Sequence, residues 1–437
     1  MHTPTAPPQL PTLPLSAMLA YTAAHFGKSL LWYTGELLLI FALTEYVQLS
    51  ATAAGMTVAA GLVVSAVMGL LAAGRWQGSS SLAWAGRAQW RGIAIAAVAM
   101  ALLFLAPLLP AATRLACVLL FSLPFRAAYA VGDVAQNTLL GLGRWPWRGA
   151  KGISALRLVG SGLAALSVSA TIGLLVHSRP SAGAPVAMTV VVAVSTLAML
   201  TAGWLRHTLQ PHAPYVAGPQ AHAPNAGLHR ACWLPLMVIA ALSLALPTFT
   251  KLAPYLAQTL LPSPRWGSAI LISYAVGTVA IQPLAARLQT RALQRLGCSG
   301  FALVVFGLLF AMQTMRGVWP DAALAFGMGM AAGSAGQWVW ARHAELSIRH
   351  APAQQARGFA LLTAAAQIAL ALGSVLIGLL LHLNKDHGAD HAQLAWSMAI
   401  GPMLCGAACM LLACINSSCM TSGQKPPAER AAMPHRV

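Results

Sequence analysis

The chain has 437 residues, of which 58% are hydrophobic and 8% charged, with a mean hydropathy of +0.69. Soluble domains carry about a quarter charged residues, so this composition excludes a soluble globule and makes lipid the solvent. Lys and Arg number 26 against 8 Asp and Glu, a formal charge of +18, but that charge is strung through the connections between apolar runs rather than gathered in one patch, which excludes a nucleic-acid partner.

Residues 1–19 are Pro-rich and lack a basic start, which predicts a disordered lead rather than a cleaved signal peptide. Twelve apolar runs follow, near 20–46, 51–74, 92–112, 115–143, 153–177, 185–205, 232–260, 266–288, 298–315, 321–343, 359–382 and 392–416. Each is close to or above the roughly 20 residues that cross a hydrocarbon core as a helix. The first, fourth and seventh are the longest, which predicts tilt. Residues 206–231, rich in Pro, His, Ala and Gly, show no apolar period and read as a cytoplasmic linker between a first six-helix half, 20–205, and a second, 232–416. Residues 417–437 form a tail. The expected fold is an all-α membrane protein of twelve transmembrane helices in two halves, acting as a monomer.

Every second connection is basic: Arg75, Arg87 and Arg91; Arg144, Arg148 and Lys151; Arg206 and Arg230; Arg287, Arg291 and Arg295; Arg342, Arg349 and Arg357; and the tail residues Lys425, Arg430 and Arg436. The alternate connections hold only Arg114, Arg179, Arg265, Arg316 and Lys385. This bias predicts a multi-pass protein of a bacterial-type inner membrane with both termini in the cytoplasm. A basic connection follows the second helix of each half, a weak internal symmetry of the kind seen in 6+6 transporters.

Charges inside the spans are rare and therefore informative, because an unpaired charge in lipid is costly. In span one, Tyr21, His25, Lys28, Trp32 and Gly35 share a stripe, and Lys28 either snorkels or points into a cavity. Glu36 lies near the middle of that span, and a carboxylate enclosed by apolar groups favours its neutral form, so Glu36 is either the candidate for proton coupling, with Asp133 as the second, or a neutral structural glutamate bonded to a neighbouring helix. In span four, Arg126, Tyr129, Asp133 and Asn137 fall at offsets of three, four and four, one face of a helix. That stripe is either an Arg126–Asp133 ion pair or the wall of a substrate cavity, and its mix of guanidinium, carboxylate and aromatic face suits hydroxyl-rich molecules.

Span five places Ser154, Arg157 and Ser161 on one face, with Arg157 near the cytoplasmic end and able to snorkel. Lys251 in span seven, near Thr248, Thr250 and Tyr255, is a cavity cation or a periplasmic snorkeler. Gly327, Gly329, Gly333 and Gly336 in span ten allow close helix contact, and Trp338 and Trp340 near its inner end read as interface-belt residues. Span eleven carries Thr363, Gln367 and Ser374 on one face. The seven cysteines, Cys117, Cys232, Cys298, Cys405, Cys409, Cys414 and Cys419, have no paired metal-ligand spacing and read as small core residues. No P-loop, nucleophile elbow, metal cluster or paired catalytic carboxylates occurs, so neither enzyme activity, a metal nor a cofactor is expected. Secondary transport of a small-molecule substrate across the lipid bilayer remains, with export of an amphipathic or anionic compound and a non-transporting membrane sensor as the alternatives.

Several segments resemble the major facilitator superfamily and, within it, the glycoside-pentoside-hexuronide (melibiose permease-like) cation symporters. Phe26-Gly27-Lys28, the run Thr44-Glu45-Tyr46-Val47-Gln48-Leu49-Ser50 with Gly55, and Gly86-Arg87 through Trp90 are similar to three family elements. Glu345, Arg357-Gly358 and Phe359 through Ser374 are similar to the family's span ten exit and span eleven. Asp133 and Arg157 stand at nearly the family's spacing for an aspartate and an arginine in sugar binding, so the resemblance implies a twelve-helix sugar transporter with these two as substrate residues. Where the family has cation-binding aspartates in span two, this chain reads Val63 through Gly69 without a carboxylate; Ser29 and Gln367 stand where an aspartate and a lysine are usual. A sodium site needs carboxylate oxygens, so H⁺ is favoured over Na⁺ as the coupling ion. The expected substrate-binding set is Lys28, Trp32, Arg126, Tyr129, Asp133, Arg157, Lys251 and Gln367.

Overall fold

Helix starts in this chain are fixed by local chemistry. Ser50 and Ser81 adopt extended backbone and accept hydrogen bonds from the N–H groups of Ala53 and Trp84, at 3.2 Å and 3.1 Å, so each satisfies a donor that the first turn leaves free. Pro352 occupies the first position of another helix, where its missing N–H costs nothing. The computed structural model describes residues 12–76, 81–175, 180–211, 232–260, 265–287, 292–313, 317–347, 352–386 and 391–423.

In chain order the helices are α1 (Leu15–Tyr33), α2 (Leu39–Glu45), α3 (Ala51–Arg75), α4 (Leu82–Leu103), α5 (Ala111–Leu142), α6 (Gly149–Leu175), α7 (Pro180–Leu209), α8 (Trp233–Leu260), α9 (Arg265–Ala280), α10 (Gln282–Arg287), α11 (Ala292–Met312), α12 (Val318–Ser347), α13 (Pro352–Asp386) and α14 (His391–Gly423). A π-helical turn, Thr34–Leu38, joins α1 to α2, and α9 runs into α10 through Ile281, so the fourteen helices form twelve rods. Among the described residues, ten helices are long and apolar enough to cross a membrane. The other two rods are α1–α2, which carries Lys28 and Glu36, and α12, which carries Asp321, Arg342 and Glu345. Outward faces are apolar, with Met56, Leu120, Leu200 and Phe301 each more than 60% exposed, as lipid contact demands.

Successive rods reverse direction, which brings the starts of α1, α4, α6, α8, α11 and α13 to one end together with most of the basic connections. At this basic end, one apolar cluster takes residues from both halves: Leu139, Leu140, Trp145 and Ile153 from the first, and Trp338, Trp340, Phe359 and Leu362 from the second. Toward the opposite end the described core divides. One cluster, built on Leu31, Leu43, Met100 and Phe125, belongs almost wholly to the first half, and another, built on Phe249, Phe310, Met328 and Met398, to the second. Hydrogen bonds join the halves at the basic end as well, since Gln337 Nε2 donates to the Lys151 carbonyl at 3.1 Å and Arg148 Nη1 to the Ala286 carbonyl at 3.4 Å. The halves are therefore fastened at the basic end.

Several sequence expectations shift. The first helix starts at Leu15 rather than 20, and α4 starts ten residues before 92, because Ser81 caps it and its register leaves Arg87 and Arg91 exposed while Leu82, Ala85 and Gln89 face inward. The predicted linker loses its first residues to α7, and α14 extends to Gly423. Trp338 and Trp340 are not belt residues: they are 3% and 9% exposed, because the two halves close over them. Arg295, expected in a connection, is buried on α11, where it donates to the Ala285 carbonyl at 2.8 Å and to Gln337 Oε1. Gly327, Gly329 and Gly333 do meet Phe306, Tyr274 and Thr278 closely, whereas Gly336 has only Leu158 near. Cys117, Cys232, Cys405 and Cys409 are buried, and Cys298 and Cys414 exposed. Residues 1–11, 212–231 and 424–437, with Arg179, Arg291, Arg316 and Arg349, lie outside the described residues, as do the side chains of Tyr255, Arg265, Lys385 and Cys419.

Candidate functional site

Two ionic networks lie where α1, α5 and α6 of the first half meet α8, α12 and α13 of the second. The first is nearer the basic end. Lys28 on α1 pairs with Asp133 Oδ1 on α5, and its ammonium is also 3.5 Å from Asn137 Oδ1. Asn137 Nδ2 donates to Asp133 Oδ2 at 3.0 Å, and Arg157 Nη1 on α6 donates to Asn137 Oδ1 at 2.7 Å. The guanidinium of Arg157 in turn stacks over the ring of Trp340 on α12, 3.5 Å from its centre. His25 Nε2 and Ser161 Oγ lie 2.9 Å apart, and Ser29 Oγ is 3.1 Å from the same hydroxyl. Lys28 is 1% exposed, Asp133 8% and Arg157 5%, so neither cation reaches the membrane surface and the snorkelling alternative is overturned for both. A carboxylate inside the bundle holds each cation there, directly for Lys28 and through Asn137 for Arg157.

The second network is about 10 Å farther along the rods, two helical turns from the first. Arg126 Nη2 on α5 donates to Glu36 Oε1 at 2.7 Å and to the Gly35 carbonyl at 2.9 Å. The π-helical turn explains that carbonyl: inserting one residue into the α-helical ladder leaves a C=O without its usual partner, and such turns gather at functional sites. Lys251 on α8 reaches across from the second half to Glu36 Oε2 at 3.7 Å and donates to Ser374 Oγ on α13 at 3.0 Å. Trp32 lies over Arg126, with ring centre and guanidinium carbon 5.3 Å apart, and packs against Tyr129 at 5.4 Å between ring centres. The stem of Arg126 rests on Gly61 of α3, and Ser65 of the same helix donates to the Arg126 carbonyl at 3.2 Å.

Gly61 makes a test of this support. A methyl group there would lie 2.8 Å from Cγ of Arg126, close to the backbone and unable to swing aside. Gly61→Ala is expected to lower thermal stability by about 1–3 kcal/mol, the usual cost of overpacking, and to dislodge Arg126. A melting curve of the purified variant that overlays the parent curve would contradict this packing.

The structure brings eight of the nine candidates into these two networks or directly against them: Lys28, Asp133 and Arg157 in the first, and Trp32, Glu36, Arg126, Tyr129 and Lys251 in or beside the second. Gln367 on α13 is buried, but no hydrogen bond or ion pair among the described residues joins it to either. The Arg126–Asp133 pair is replaced by Arg126–Glu36 and Lys28–Asp133, since two turns of one helix hold the first two apart while the first rod, α1 with the π-helical turn after it, offers each a nearer partner. Lys251 is not a surface snorkeler. Sequence spacing gave no sign of the Glu36–Lys251 contact, because it links residues more than two hundred positions apart. Together the networks hold four cations, Lys28, Arg126, Arg157 and Lys251, against two carboxylates, Glu36 and Asp133.

No family model matches this chain, and neither does any curated protein. Among solved structures it is similar to the major facilitator superfamily proton:xylose symporter XylE bound to 6-bromo-6-deoxy-D-glucose, with a TM-score of 0.62 at 14% identity over 92% of this chain and 95% of that one. The twelve rods in two halves are thus the major facilitator fold.

Proposed function

We propose that this chain is a secondary active transporter, moving a small hydroxylated solute of sugar size across a bacterial-type inner membrane by alternating access, with the basic end in the cytoplasm. The observation that carries the reading is the pair of buried ionic networks between the halves, with Glu36 of one half facing Lys251 of the other. Charges are retained in lipid where they handle solute or ions, and a contact that joins two rocking halves at a charged centre can make and break as they move. The xylose symporter's likeness in fold, and the similarity of Asp133 and Arg157 to family sugar-binding positions, support a sugar-like solute. The proton is the coupling ion in this reading: α3 has no carboxylates where a sodium site would need them, while Glu36 and Asp133 each hold a cation that protonation would release.

Uptake of labelled sugars and sugar derivatives into proteoliposomes, driven by an imposed pH gradient, is the direct test. Accumulation that collapses with a protonophore is expected. Asp133→Asn combined with Arg157→Ala should abolish it, and full activity in that double variant would remove these residues from the site.

A further inference from the structure

Charge in the two networks does not balance. Lys28, Arg126, Arg157 and Lys251 oppose Glu36 and Asp133, an excess of two positive charges, with all but Lys251 at 8% exposure or less. His25 adds no negative charge. Buried cations in excess of their partners are costly unless a further anion joins them. The second network shows where one would bind. Of the five N–H donors of a guanidinium, Arg126 uses those of Nη2 on Glu36 and Gly35, while Nε and Nη1 meet no acceptor among the described residues although the side chain is 1% exposed. Lys251 is only loosely held by Glu36, at 3.7 Å, and its hydrogen bond goes to a neutral hydroxyl, Ser374. Trp32 supplies an aromatic face beside the guanidinium.

We propose that the solute carries a carboxylate, that Arg126 of the first half and Lys251 of the second bind it together, and that Glu36 is the internal anion occupying these two cations until the solute arrives. This deepens the transporter reading and rests on it for the direction of solute movement, though not for binding. Glu36 competes with the solute for the charge of the same two cations, so a proton on Glu36 releases Arg126 Nη2 and Lys251 and lets the carboxylate bind them along with the unused Nε and Nη1; the proton leaves Glu36 when the solute leaves. One proton and one singly charged anion then travel together. The titratable groups facing Glu36 are Arg126 on α5, Lys251 on α8 and Tyr33 one turn earlier on α1; α3 contributes Gly61 and Ser65 beside Arg126 and α13 contributes Ser374, none of which titrates.

Matched pairs that differ only in the acid group test the proposal: gluconate against glucitol, and lactate against propane-1,2-diol, each titrated into purified protein while its melting temperature and binding heat are followed. A bound ligand of the folded state raises the melting temperature. At least one carboxylate is expected to bind about tenfold or more tightly than its neutral counterpart, and more tightly as pH falls. Glu36→Gln should bind that carboxylate more tightly than the parent and without the pH dependence, whereas Arg126→Gln and Lys251→Gln should each lose it. Neutral counterparts that bind as well as the acids, or a folded Glu36→Gln protein that loses carboxylate binding, would overturn the proposal. Flux separates the two readings: transport of glucose without gluconate binding overturns the anion site and leaves the transporter, while gluconate binding without flux of any solute leaves the anion site and overturns the transporter.

Discussion

Asp133→Asn is expected to unfold the protein or strip it from the membrane, and Lys28→Met to do the same less severely, while the double variant Lys28→Met, Asp133→Asn folds. The reason is the asymmetry of buried ion pairs. Removing one partner leaves an uncompensated charge and costs about 3–5 kcal/mol, whereas removing both is often nearly neutral. Total marginal stability is only about 5–15 kcal/mol for ordinary domains, so the single change is a large fraction of it. Asp133 is the more severe case because the loss of its charge leaves both Lys28 and Arg157 without a carboxylate in that network, whereas without Lys28 the aspartate keeps Asn137 and, through it, Arg157. Melting temperatures and membrane yield of the four proteins form a double-mutant cycle. The double variant is expected to recover at least half of the lost stability and still transport nothing. Two single variants as stable as the parent would show that this pair contributes little to the fold.

The second large effect concerns the basic end. Gln337 Nε2 and the Lys151 carbonyl are 3.1 Å apart across the two halves. Cysteines placed at 151 and 337 in a background freed of the native cysteines should cross-link with a short bifunctional reagent, hold that end shut and abolish flux. Cleavage of a reducible linker should restore it. Solute binding should survive the lock, because Arg126 of one half and Lys251 of the other stay on either side of Glu36 in the closed arrangement. If the locked protein transports at the parent rate, the contact is not one that opens during the cycle, and the halves do not part there.

Much of this fold was legible in the sequence. Apolar runs, the alternation of basic connections and the Pro- and His-rich stretch after Arg206 point to twelve rods in two halves, because lipid imposes length and polarity rules that a single sequence states openly. The charged residues of the site were equally visible, since each breaks such a run. Their partners were not. Helical periodicity places Arg126 and Asp133 on one face and suggests that they pair, yet each finds its counter-charge on the first rod, Asp133 at Lys28 of α1 and Arg126 at Glu36 of the π-helical turn, because which rods meet is decided by packing between segments far apart in the chain. One rod end shifted for a different reason: Ser81 caps α4, whose first turns carry Arg87 and Arg91 and so resemble a connection. The inward turn of Trp338 and Trp340 was hidden as well, since tryptophan near a rod end has the same composition signal whether headgroups or a second half covers it.

Four cations set against two carboxylates have an electrical meaning. A unit charge crossing the whole membrane field gains or loses about 2.3 kcal/mol per 100 mV, and the networks between the halves have a surplus of two. Any rearrangement that shifts them part-way along the membrane normal therefore does work against the resting voltage, and the inside-negative potential of a living cell draws such a surplus inward. A carboxylate bound at Arg126 and Lys251 and the proton that then sits on Glu36 cancel, so the loaded protein has the same surplus of two as the empty one, both crossings feel the voltage alike, and net uptake moves no charge.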